Sequence, residues 1–230
     1  MRSTRNEDVM FRLALLLAIF FVTGCATNSL TPKPVSKTDI NENSGILIGS
    51  FSRDPRKPPY YSQTFRFKNV STGEMYDIKS QATFNMFSGK TQDDFKTPNS
   101  NGGIFIFSLP SGEYTFYNFR LYQSNGSSYQ NWSSNKPYSI PFKINANAVN
   151  YIGEVKLIPK MEKGFFGMQV HAGGVWEIRD QIERDTKFIS LKHPFISMDS
   201  AINIVPMKKE IVTPFVILPS EIEANSNVIN

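Results

Sequence analysis

FIFSLPSGEYTFYNFRL, residues 105–121, is a run of aromatic and branched side chains interrupted once, at Leu109-Pro110-Ser111-Gly112. Aromatic and β-branched residues fit a pleated surface, and Pro followed closely by Gly is turn chemistry. The stretch therefore reads as strand, tight turn, strand. Within Glu113–Gln123 both parities are apolar, with Tyr114 and Phe116 on one and Tyr117, Phe119 and Leu121 on the other. Since side chains alternate along a strand, this one is expected to be covered on both faces or to keep its second face for a partner.

The same grammar extends in both directions. Short β-rich runs bounded by Gly, Pro, Asn and Ser predict strands near Gly45–Arg53, Tyr61–Lys68, Met75–Lys79, Gly103–Leu109, Glu113–Gln123, Tyr138–Asn145, Val149–Ile158, Phe165–His171 and Val175–Arg179. In Ser139–Asn145 the parity puts Ile140, Phe142 and Ile144 on one face. In Val149–Leu157 it puts Val149, Tyr151, Val155 and Leu157 together. Asn145-Ala146-Asn147-Ala148 between them carries turn residues, so an antiparallel hairpin is expected, and Ala172-Gly173-Gly174 predicts another turn. Helix signals are almost missing before Asp180. The fold class expected is mainly β, an antiparallel β-sandwich over residues 45–179.

The pattern F-x-x-x-L-P-x-G-x-Y from Phe105 to Tyr114 resembles the strand-turn-strand of transthyretin-like (prealbumin-like) sandwiches, including carboxypeptidase-regulatory-like modules. Pro141-Phe142-Lys143-Ile144 and Asn150-Tyr151-Ile152-Gly153 resemble the closing strands of bacterial envelope lipoproteins of this type. The likeness covers roughly residues 45–158 and implies an antiparallel sandwich of the transthyretin-like or immunoglobulin-like kind. It implies that Pro110 sets φ at the turn and that Gly112 takes a conformation other residues avoid. Such folds serve binding, scaffolding and much else, so the resemblance implies no single activity.

After the strands, Asp180 with Glu183 three residues on fits a capping-box-like helix start, and Ile178, Ile182 and Ile189 form a stripe. His193-Pro194 should end the helix, and a second short helix is expected over Ser197–Val205. A helical element spanning 180–205 would pack its stripe on the sandwich edge, the commoner use of such stripes than capture of a partner. Pro206, Pro214, Pro219 and an Asn-rich end predict a loosely ordered tail over 206–230.

The N-terminal segment carries Arg2, Arg5 and Arg12, then the apolar run Leu13–Val22, then Thr23 and Gly24 before Cys25, the only cysteine. This is a signal-peptide layout over residues 1–24. The run is about half the roughly 20 residues a spanning helix needs, which disfavours the competing reading of Cys25 as a thiol at the end of a transmembrane anchor. Val22-Thr23-Gly24-Cys25 resembles the lipobox of bacterial lipoproteins. That resemblance implies a diacylglycerol thioether on Cys25, cleavage after Gly24, acylation of the new amino group by a chain such as palmitate, and stable membrane anchoring. By the enteric sorting rule, Ala26 in place of Asp implies the outer membrane, periplasmic face. Residues 25–44, almost free of large apolar side chains, read as the lipidated cysteine and a flexible tether.

With 19 Phe, 9 Tyr and 2 Trp, the chain is expected to build its core without disulfides. Its net charge of +5 is dispersed. The nearest cluster, Arg53, Arg56 and Lys57, is too small for a nucleic-acid footprint and reads as a solvated loop. His171 and His193 are the only imidazoles, and neither lies in a hydrolase elbow or a metal-ligand spacing, so both read as polar loop residues. Asp93, Asp94, Glu154, Glu177, Glu183 and Asp185 are scattered carboxylates, and Asp185, close to the helical stripe, requires a cap or ion-pair partner. No catalytic group, cofactor or metal is expected. The binding candidate is the polar loop Tyr122–Trp132, where Tyr129 and Trp132 could stack on a sugar or anchor a protein partner, unless Trp132 folds back to seal the sandwich end. The function expected is non-catalytic binding or scaffolding in the cell envelope, with a carbohydrate or peptidoglycan module as the alternative and an envelope hydrolase using His171 as the least favoured.

Overall fold

A computed structural model describes residues 35, 40–81, 93–124, 126, 128–164 and 167–222. The lipobox residues Val22, Thr23, Gly24 and Cys25, most of the tether, and residues 223–230 lie outside the described residues.

Two sheets face each other over an aromatic core. The larger contains β1 (Ser44–Arg53), β4 (Phe95–Lys96), β5 (Asn101–Pro110), β9 (Val149–Lys163), β10 (Gln169–Arg179), β11 (Ile202–Asn203) and β12 (Val216–Ile217), along the path β12-β10-β9-β1-β5-β4 with β11 beside β9. The smaller contains β2 (Ser62–Asn69), β3 (Met75–Gln81), β6 (Gly112–Ser124), β7 (Tyr129–Ser133) and β8 (Ile140–Ile144), along β3-β2-β6-β7 with β8 also on β6. The sandwich expected from the sequence is present. The larger sheet is mixed, because β9 runs parallel to β1 and β12 parallel to β10. Residues 105–121 form the corner between the sheets: β5 belongs to one, β6 to the other, and Gly112 at φ +147 takes the turn. The Tyr114 hydroxyl donates to Pro110 O at 2.8 Å and clasps that corner.

Bulges overturn two parity readings. In β9 the partners step from Ile48↔Tyr151 to Ser50↔Glu154, so one extra residue enters at Gly153, whose φ is +96. An inserted residue turns every later side chain to the opposite face. Val149 and Tyr151 therefore face outward while Ile152, Val155 and Leu157 enter the main core. In β6 the partners step from Arg66↔Asn118 to Phe67↔Phe116, leaving Tyr117 as the extra residue. Tyr114, Phe116, Phe119 and Leu121 thus all enter one core, and the double-faced strand expected from the sequence is a single-faced strand with a bulge. The core centres on fully buried Trp176, whose ring lies 5.3 Å from Phe51 and 5.1 Å from Phe65.

Three turn expectations also change. Asn145–Ala148 does not close a hairpin: β8 pairs with β6 and β9 with β1, so the turn passes between sheets, with Asn147 at φ +51. Ala172–Gly174 is a register shift inside continuous β10, since β9 runs on to Lys163 and the reversal comes near Gly164, whose N–H donates to Met168 O. Tyr129–Trp132, read as loop, belongs to β7, because Gln130 and Trp132 find partners in Gln123 and Leu121 of β6.

The helix, α1, spans Ile182–Lys192, ends at His193, and covers the outer face of the larger sheet. Ile189 packs with Ile46, Ile48, Val149 and Tyr151 in a second core, as the stripe required, whereas Ile178 lies in β10 within the main core. The helix start departs from the capping-box reading. Gln181 is the N-cap without a side-chain bond, while Asp180 Oδ1 accepts from the Ile182 N–H at 3.1 Å. No helix forms over 197–205; instead β11 pairs with Asn150 and Tyr151, the part of β9 that β10 leaves free. The expected loose tail is corrected for 206–222, since β12 pairs with Trp176 and Glu177 and Val216 and Leu218 are buried. The expected tether also ends earlier than residue 44, because Val35 and Ile40 pack on the second core.

Candidate functional site

At one end of the sandwich the two sheets part and leave a groove of about 280 Å³. Gln123 of β6, Tyr129 and Gln130 of β7, and Gln169, Val170 and His171 of β10 line it. Behind its His171 wall lies an aromatic cluster: Tyr60 meets Trp132 edge-on at 5.3 Å and the His171 ring at 4.3 Å. The Tyr60 hydroxyl donates to Gly173 O at 2.8 Å and accepts from Gly173 N–H at 3.0 Å, which fastens this cluster to the β10 register shift. Burial pushes the Tyr60 hydroxyl up to about 12, against the effect of its Gly173 hydrogen bond, so this group stays protonated at any physiological pH.

The sequence candidates meet at this groove in altered roles. Tyr129 is 71% exposed at its rim. Trp132 is half-buried, packed on the main core and against Tyr60, so it seals the sandwich end and is not an exposed loop platform. His171 sits on a strand, with Nε2 3.1 Å from Pro58 O; a carbonyl can only accept, so Nε2 carries the proton. Among the described residues no carboxylate lines the groove. Three glutamine amides, each able to donate and accept, face an aromatic rim, an arrangement suited to holding hydroxyl-rich or peptide-like ligands.

The scattered carboxylates are gathered elsewhere. Arg184 of α1 donates to Glu154 Oε1 at 2.8 Å and, from Nε and Nη2, to Asp185 Oδ1 at 2.8 and 2.7 Å. Ser52 donates to Glu154 at 2.6 Å, and Ser50 and the Tyr151 hydroxyl donate to Asp185 Oδ2 at 2.7 and 2.9 Å. Asp185 is fully buried, and desolvation raises its pKa against the opposing pull of Arg184 and these hydroxyls. The guanidinium also lies 4.1 Å from the Phe95 ring centre. Both carboxylates are enclosed and hydrogen-bonded, so this cluster fastens the helix to the sheet.

Three of the four other candidate carboxylates are paired. Asp93 binds Arg53 through two 2.9 Å bonds, Asp94 pairs with Lys192, Glu177 with Arg179, and Glu183 is exposed. The expected solvated basic loop is corrected at Arg53, which is buried, while Arg56 is held by Asp54 and Lys57 is exposed. His193 caps α1, its N–H donating to Ile189 O at 2.7 Å. Among the described residues no His, Cys, Asp or Glu grouping is placed to hold a metal ion, and no helix is long and apolar enough to cross a membrane.

Tyr60, Gln123, Gln130 and Gln169 were not singled out in the sequence. The parity of Gln123-Tyr122-Leu121 was readable there, but the approach of β10 to β7 across the sandwich end was not.

The class defined by this fold is a two-sheet, mainly β sandwich. The sequence matches no known family model and no curated protein. Among solved structures, it is similar to a leucine-rich repeat protein from Bacteroides thetaiotaomicron VPI-5482, with 10% identity and a TM-score of 0.29 over 57% of this chain. It is also similar to a candidate cell adhesion protein from Parabacteroides distasonis ATCC 8503, with 12% identity and a TM-score of 0.30 over the same share. The chain spans 19% and 37% of those two proteins. Likeness at this level decides neither fold nor function.

Proposed function

We propose that this chain is a lipid-anchored protein of the cell envelope whose sandwich binds another envelope component without catalysing a reaction on it. The anchor rests on Val22-Thr23-Gly24-Cys25 after a short apolar run, with Ala26 favouring the outer membrane and a periplasm-facing domain. The binding role rests on one observation: the sandwich-end groove is lined by Tyr129, His171 and the amides of Gln123, Gln130 and Gln169, all carried on strands, with the ring pair of Tyr60 and Trp132 packed behind His171. Rigid strands hold such groups ready for a ligand at little ordering cost. A protein partner is the first reading. A glycan is the second, favoured by amides beside an exposed ring.

The test is metabolic labelling with radioactive palmitate combined with in-cell crosslinking. The wild type is expected to take up label and fractionate with membranes, and Cys25→Ser to do neither. Crosslinking should capture a defined component that Tyr129→Ala reduces. Label on Cys25→Ser, or a capture pattern indifferent to both substitutions, would overturn the reading.

A further inference from the structure

Beside the groove, the outer face of the smaller sheet carries three tyrosines in file. Tyr61 lies 5.7 Å from Tyr122 edge-on, and Tyr122 lies 6.4 Å from Tyr129 with the rings within 30° of parallel. Tyr61 and Tyr122 line a shallow groove of about 460 Å³ that also takes in Arg66, Asp77, Lys79 and Arg120. Strand pairing dictates the set: Arg66 and Asp77 are cross-strand partners, as are Ser62 and Tyr122, and all share the solvent parity of β2, β3 and β6.

The charges are arranged rather than scattered. Asp77 is buried beneath the face, 3.4 Å from Arg66 Nε and 3.3 Å from Lys79 Nζ, and holds both cations over the groove. Arg120 is exposed, and its Nε donates to Asn131 Oδ1 at 3.0 Å, which sets the plane of the guanidinium. Three cations stand over one buried carboxylate, so the face is complementary to an anion.

Resting on the glycan reading above, we propose that this face binds a carboxylate-bearing glycan, its sugar rings lying along Tyr61, Tyr122 and Tyr129 and its carboxylates meeting Arg120, Arg66 and Lys79. Aromatic faces stack on the apolar faces of sugar rings, and an arginine fork matches a carboxylate with two parallel bonds. The carboxylate has two sources in an envelope, uronic acids of a polysaccharide and the free acids of cell-wall muropeptides, and both present the same chemistry to this face.

The test is fluorescence anisotropy of the detergent-solubilised full-length protein with fluorescein-labelled oligogalacturonate. Competitors are the unlabelled oligomer, its methyl ester, soluble muropeptides and a single-stranded deoxyoligonucleotide. The unlabelled acid should compete about tenfold or more better than the ester, and binding should weaken with salt. Arg120→Gln should lower affinity about tenfold, and Tyr122→Ala should lower it with ester and acid alike. Both side chains reach solvent, so unchanged thermal unfolding of the variants shows that the fold is kept. Competition by muropeptides equal to the acid assigns the cell wall as source, and its failure assigns uronates; either result supports the face. Equal competition by the ester, an unaffected Arg120→Gln variant, or tighter binding of the oligonucleotide would overturn it. If any of these occurs while Tyr129→Ala still reduces crosslinking in cells, the envelope-binding function stands and only the ligand class fails.

Discussion

Asp54 and Gly153 illustrate how single side chains set local behaviour. Arg56 grips Asp54 through Nε and Nη2 at 2.9 Å each, while the Arg56 backbone N–H adds a third bond at 3.0 Å. The Arg56 side chain is the main cause that lowers the Asp54 carboxyl from 3.8 to about 2. A folded value below the unfolded one means stability that is full above the unfolded carboxylate's pKa and is lost as pH falls from 3.8 through about 2. Arg56→Gln should return the Asp54 titration part of the way to 3.8, read by NMR of its carboxyl carbon, and should start acid unfolding at higher pH. An unmoved titration would remove Arg56 as the cause. Gly153 is constrained differently: a Cβ there would lie 2.6 Å from Arg179 O, on a backbone at φ +96. Gly153→Ala combines a left-handed strain with a backbone collision and should cost about 2–4 kcal/mol in urea unfolding. A cost below about 0.5 kcal/mol, the range of an ordinary surface change, would show that the bulge relaxes freely.

The α1 helix is attached by charge as much as by oil. Its Ile189 enters the second core, and beside it Arg184 and Asp185 join Glu154, Ser50, Ser52 and Tyr151 in a hydrogen-bonded cluster. Desolvation pulls the Arg184 pKa down, but Asp185 and Glu154 outweigh it and hold the guanidinium charged. Removing the arginine leaves two buried carboxylates without a cation, a fault that typically costs about 3–5 kcal/mol. Arg184→Ala should lose about that much in denaturant unfolding, and the deficit should narrow at acid pH as Asp185, whose pKa burial already raises, takes up a proton. A deficit that is small, or constant with pH, would mean water enters and solvates the cluster.

Closure of the sandwich depends on chain far from its beginning. β12 is only two residues long, but it pairs with Trp176 and Glu177 while Val216 and Leu218 enter the main core. A buried aliphatic side chain is worth about 1.5–3 kcal/mol against a total stability of about 5–15 kcal/mol, so this short segment is a sizeable share of the whole. A chain ended after Val212 should therefore melt more than about 10 °C lower by circular dichroism, and Leu218→Ala alone should cost about 2–5 kcal/mol. An unchanged melting temperature on truncation would return the segment to the loose tail read from its prolines.

Six of the nine predicted strands lie within strands of the structure and two more, Tyr61–Lys68 and Tyr138–Asn145, overrun β2 and β8 at their ends, because each carries enough β-branched and aromatic side chains to be recognised locally; of the ninth, Gln169–His171 belong to β10 and residues 165 and 166 lie outside the described residues. The corner at Pro110 and Gly112, the Ile189 stripe, the helix stop at His193 and the need of Asp185 for a partner were legible for the same reason: each follows from neighbours in the chain. Facing was not. One inserted residue at Gly153 and another at Tyr117 reverse the parity of everything beyond them, and a bulge becomes visible only when the partner strand supplies the register. The parallel pairing of β1 with β9 and the seat of β12 join residues about a hundred and about forty positions apart, which no local pattern encodes. The candidate sites divide along the same line. Tyr129 stood out in the sequence by its polar surroundings, but its file with Tyr122 and Tyr61, the packing of Tyr60 against Trp132 and His171, and the cations poised over Asp77 exist only where strands lie side by side. Composition and period decided which segments are strands, because those depend on side chains a few residues apart; register and bulges, settled by packing across the whole core, decided which side chains meet.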